Sequence, residues 1–106
     1  MYQVIIFIYH ERYYENIMTA LTDIGAHTAF VIEGLNMANA LAFNVPIFAG
    51  LRAELQHSPK FCKIIFTLVD DKESIDELVE SIKDSGIDNK KEKVFTLTYH
   101  QVTKIE

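Results

Sequence analysis

The chain has no tryptophan and only one cysteine, Cys62, among its 106 residues. A lone thiol excludes an internal disulfide and any all-cysteine metal site. Cys62 stands at the start of an apolar, strand-like run, where a small buried hydrophobe is the expected role. A catalytic thiol needs a partner base and an electropositive setting, and its sequence neighbours supply neither. Positive charge is also scarce. The net charge of −5 argues against general nucleic-acid binding. The opening "MYQVIIFIYHER" lacks both a basic leader and a small-residue cleavage site, so it reads as part of the fold rather than a signal peptide, and a cytoplasmic location is expected. There is no linker, charge block or low-complexity tract, and residues 1–106 read as a single domain.

One further absence is local. From Gly34 to Leu51 no side chain is charged, and 12 of those 18 residues are apolar. That length raises the question of a membrane span. Asn36, Asn39, Asn44 and Pro46 interrupt it, and a span is not expected. Surface connections are usually short and polar. A long, uncharged connection between two strands therefore reads as the working segment of the protein, an exposed surface that docks onto a partner.

Around that segment the periodicities are clear. "QVIIFIYH" (3–10) is apolar throughout, as a strand covered on both faces would be. Tyr13, Tyr14, Ile17, Met18, Leu21 and Ile24 form one helical stripe, and Gly25 is a suitable stop. "HTAFVIE" (27–33) reads as a second strand closed by Gly34, and "FCKIIFTLVD" (61–70) as a third. A second helix follows, capped by Asp70 or Asp71, with Ile75, Leu78, Val79 and Ile82 inward and Gly86 at its end. "VFTLTYH" (94–100) alternates as a fourth strand. Within the 34–60 connection, "GLNMANALAF" has helical spacing, Pro46 interrupts it, and "IFAGLRAELQH" can begin a second short helix. The order β-α-β-β-α-β implies an α+β, ferredoxin-like sandwich with helices on one sheet face. Strands one and three are apolar on both sides, so the other face also needs covering, and sheet-to-sheet oligomerisation is the expected solution.

This order, with one long loop between strands two and three and a lysine-bearing turn into strand four, resembles the PII signal-transduction superfamily. "TAFVIEG" resembles the strand leading into the family's long T-loop, and "KVFTLTYHQVTKI" its last strand and tail. The resemblance implies a divergent PII-like regulator: a homotrimer that binds a small effector between subunits. It implies an adenine nucleotide (ATP, ADP or AMP) as that effector, and a partner, a membrane transporter or regulatory protein, engaged through residues 34–60. It assigns the effector site to Thr28, Gly34, Lys93 and Lys104, with Asn36 where the second glycine of a Gly-x-Gly would stand. Two features depart from the pattern. "NKKEK" replaces a glycine-rich turn that would let backbone N–H groups approach phosphate. Glu106 replaces a tail arginine. No tyrosine occurs in 34–60, so the uridylylation that some members undergo has no acceptor there.

The four histidines show no metal-ligand spacing. A CutA-like trimeric metal-binding protein is the alternative reading, requiring His10 with Glu11 and a neighbouring copy's His57 across an interface. The carboxylates from Asp70 to Asp84 suit the solvated face and first turn of the second helix. No Ser/His/Asp or Cys/His arrangement is present, and no enzymatic activity is expected.

Overall fold

A computed structural model describes residues 1–26, 28–35, 37–51, 61–87 and 94–103. Four strands form one sheet: β1 (Tyr2–Ile8), β2 (Phe30–Leu35), β3 (Phe61–Val69) and β4 (Phe95–Gln101), in the spatial order β2-β3-β1-β4. Every neighbouring pair is antiparallel. Helices α1 (Tyr14–Asp23) and α3 (Lys72–Asp84) pack on one face, while α2 (Met37–Asn44) lies in the connection between β2 and β3. This small α+β domain is compatible with the ferredoxin-like plan.

The core forms where three apolar stripes meet. Directly opposed residues of antiparallel strands share a face. Val4 faces Thr67 and Ile6 faces Ile65, and all four are buried. Ile17, Ala20 and Leu21 of α1 and Ile75, Leu78 and Ile82 of α3 close over them. Asp71 caps α3, its Oδ1 accepting from the Ser74 backbone N–H at 2.9 Å and from the Ser74 hydroxyl at 3.0 Å. These hydrogen bonds favour the ionised carboxylate and hold Asp71 below the usual aspartate pKa. Gly25 ends the first helical segment at φ +81°, a left-handed conformation that suits glycine.

Two boundaries differ from expectation. The second strand begins at Phe30 rather than 27, because Phe30 is the first residue to pair with β3, opposite Phe66. Gly34 does not close that strand but lies within it, opposite Cys62. A Cβ there would meet Ile64 Cδ1 at 3.3 Å and the Cys62 carbonyl at 3.5 Å, so glycine suits a close approach between strands. In the connection, the described part of the expected second short helix is a 3-10 segment that begins at Pro46, Pro46–Leu51, and residues 52–57 lie outside the described residues. Proline at a first helical position leaves no N–H unsatisfied.

Among the described residues, the core helices α1 and α3 leave the opposite sheet face uncovered. Phe30 and Ile32 of β2, Ile64, Phe66 and Leu68 of β3, and Ile5 and Phe7 of β1 share it by register. Phe30 is 74% exposed, Leu68 52% and Ile32 51%. On β4 the same face holds Thr96, Thr98 and His100. No residue whose pairing places it on this face carries an acidic or Lys/Arg side chain. Among the described residues no helix is long and apolar enough to cross a membrane.

Candidate functional site

The antiparallel pairing fixes which residues meet at each end of the sheet. At one end, Ile8 closes β1 between Lys63 and Phe95, and Leu35 closes β2 opposite Phe61, one residue after Gly34 pairs with Cys62. Tyr9 donates its backbone N–H to the Val94 carbonyl at 2.9 Å, and its hydroxyl lies 3.1 Å from Thr96 Oγ1. The Tyr9 ring stacks on Phe7, with centroids 6.5 Å apart. Lys63 Nζ sits 4.9 Å from the Tyr14 ring centroid, a cation–π arrangement. Glu11, Glu33, Ile8 and Lys63 line a small hollow at this end. Cys62 is half-buried, not fully buried as its sequence context suggests. Burial pushes its thiol pKa up, partly offset by a hydrogen bond from the Ile8 backbone.

The uncharged segment leaves the sheet from this same end. α2 packs chiefly against the 3-10 segment that follows it rather than against α1 or α3. Met37 and Ile47 are 75% and 83% exposed. The molecule measures 49 × 36 × 20 Å, with a radius of gyration of 16.2 Å, against about 13 Å for a compact domain of 100 residues.

The sequence-predicted site residues fall into three groups. Gly34 lies at the end from which the arm departs. Thr28 lies before the start of β2, at the opposite end of that strand, and is exposed. Asn36, Lys93 and Lys104 lie outside the described residues. One copy therefore does not bring Thr28 and Gly34 together, and a site containing both needs residues from another copy. Of the metal-reading residues, His10 adjoins the Gly34 end, while His57 lies outside the described residues. No cluster of three or more His, Cys, Asp or Glu suited to a metal occurs among the described residues.

Sequence reasoning did not single out Phe30 and Phe66. With Gln3, Thr28, Thr67 and Leu68 they line an open hollow of about 310 Å³ next to Thr28. The signal was the outward residues of strand two, Phe30 and Ile32, which extend the two-sided apolarity already visible in strands one and three. No model of a known protein family matches the chain, and no curated protein matches its sequence.

Proposed function

We propose that this chain is a PII-like regulator. Three copies associate through the open sheet faces, a small anionic effector binds between copies, and the segment 34–60 carries the response to a partner protein. An adenine nucleotide is the effector and a membrane transporter or regulatory protein the partner, with the protein working in the cytoplasm. The observation that carries the reading is the position of the arm's root. Gly34, the end of β1 and the start of β4 all lie at the one end of the sheet from which the uncharged segment leaves, with Gly34 on the edge strand β2. A ligand held there touches the base of the arm, so its preference for one arm conformation over another shifts the population that the partner meets.

The experiment is a thermal-shift panel of ATP, ADP, AMP, cyclic nucleotides and divalent metals. A ligand that binds only the folded state at a hundred times its Kd stabilises by about 2.7 kcal/mol. The reading expects a rise with an adenine nucleotide. A rise with a divalent metal alone supports the metal-binding alternative instead.

A further inference from the structure

Glu33 and Arg52 are the nearest charges on either side of the uncharged arm. Between them, Leu35, Met37, Val45 and Ile47 are all exposed. The sequence of α2, MANALAFN, interleaves apolar residues with two asparagines and sets apart no polar face. A helix without a polar face belongs in an apolar surrounding. The core does not provide one, because α2 packs chiefly on the 3-10 segment that follows it.

The backbone where α2 turns into the 3-10 segment is suited to leaving water. The Val45 N–H donates to the Leu41 carbonyl at 3.0 Å. Pro46 follows and has no N–H to satisfy. Neither residue leaves a bare donor at the turn, which matters because hydrocarbon admits backbone only where its polar groups are paired internally. The lack of a polar face also discriminates between two kinds of surface. A groove on a protein takes the apolar side of an amphipathic helix and leaves the polar side in water. Lipid chains surround a segment on every side. With a net charge of −5 the chain gains nothing overall from anionic headgroups, so apolar contact has to supply the binding.

We propose that residues 37–51 insert into the hydrocarbon of a lipid bilayer, and that lipid is the first surface the arm meets. The eight residues of α2 extend about 12 Å, against about 30 Å for a hydrocarbon core. The arm therefore enters one leaflet and returns, with Glu33 and Arg52 left at the headgroups. Val45 and Ile47, next to the turn, go deepest. The sheet and its helix-covered core stay in water. The inference rests on the reading of 34–60 as the docking segment, and it names the bilayer around a membrane partner as the surface on which that segment docks.

Tryptophan fluorescence on protein-free vesicles tests it. The chain has no tryptophan, so Ile47→Trp gives a single reporter on the arm and Phe30→Trp a single reporter on the open sheet face. Each variant is mixed with neutral phosphatidylcholine vesicles whose acyl chains carry bromine as a quencher. Ile47→Trp is expected to shift to the blue and to be quenched, equally in low and high salt, while Phe30→Trp is not quenched. In flotation with the same vesicles, Ile47→Asp is expected to lower partitioning by about tenfold or more. An Ile47→Trp reporter that is not quenched overturns the lipid contact and leaves a protein as the arm's target. Binding that needs phosphatidylserine and is released by salt is headgroup attraction, and overturns insertion. Equal quenching of Phe30→Trp places the sheet face rather than the arm in lipid, and overturns the proposal as well.

Discussion

Phe30 and Phe66 stand directly opposite one another on β2 and β3, on the sheet face that neither α1 nor α3 covers. Phe30 is nearly three-quarters exposed. An aromatic cross-strand pair stabilises a sheet modestly, but it does not account for a whole uncharged face left open. The association proposed above would account for it.

A charge on this face separates association from folding. Leu68 lies on the open side, so Leu68→Glu leaves the helix-covered core intact. Burying an unpaired carboxylate in an assembly costs about 3 kcal/mol or more, roughly a hundredfold or greater in association. Analytical ultracentrifugation should show a monomer with an unchanged circular dichroism spectrum. An assembly as tight as the wild type counts against the face.

Cys62 reports on the same face without engineering, because its register places it beside Ile64 and Phe66. Its raised pKa lowers the thiolate fraction at neutral pH, so labelling by a disulfide reagent is slow even in one copy. Assembly should slow it further. The labelling rate is expected to fall as protein concentration rises through the association range. A rate independent of concentration, in a protein that does associate, argues for a different interface.

The core has one unusual member. Thr67 is buried, and its hydroxyl has no hydrogen-bond partner among the described residues. An unsatisfied buried hydroxyl costs about 1–3 kcal/mol. Thr67→Val keeps the β-branched shape and removes the polar atom, so it should raise stability by about 1 kcal/mol in urea unfolding. Leu78→Ala, at a fully buried site, should lower it by about 2–5 kcal/mol.

The Asp71 cap sets a pH dependence with a definite sign. Its pKa is depressed in the fold by the Ser74 N–H and hydroxyl. The stability it contributes is therefore fully present above the unfolded aspartate value of about 3.9, and is lost as pH falls through the lower folded value. Asp71→Ala should lower the melting temperature at neutral pH and close the gap to wild type in strong acid. A constant gap at every pH removes the carboxylate from the explanation.

The elements with strong periodicity could be read from the sequence. Ile75, Leu78 and Ile82 recur at helical spacing, and they are buried as that spacing requires. The apolar outward side of strands one and three was also visible, and the open face follows from it. The start of β2 was not visible, because "HTAF" has strand-forming residues whether or not a partner strand lies alongside, and pairing begins only at Phe30. The place of Gly34 was hidden for a related reason. Glycine commonly marks a turn, whereas this one sits inside β2 near Ile64 and the Cys62 carbonyl. Which end of the sheet held Gly34 and which held Thr28 followed from strand direction, whereas the hollow beside Phe30 and Phe66 was signalled only by the outward apolar residues of strand two, Phe30 and Ile32.

The arm can be removed to test its independence. α2 packs mainly on the segment next to it. Excising residues 36–56 and joining β2 to β3 through a short Gly/Ser turn should keep a cooperative melt, since adjacent antiparallel strands can be linked by a hairpin. Buried Leu, Ile and Phe side chains contribute roughly 1.5–3 kcal/mol each. If several in the arm belonged to the core, their loss would exhaust a total stability of about 5–15 kcal/mol. Collapse of the melting transition refutes the docking role.

Native mass spectrometry of the wild-type protein with ATP tests the central claim most directly, because one spectrum reports both assembly and ligand. The account predicts a species of three 12.2 kDa chains that retains nucleotide, and weaker retention in Lys93→Ala by about 1–3 kcal/mol. A monomer or dimer, or a trimer that retains no nucleotide at any concentration, contradicts it.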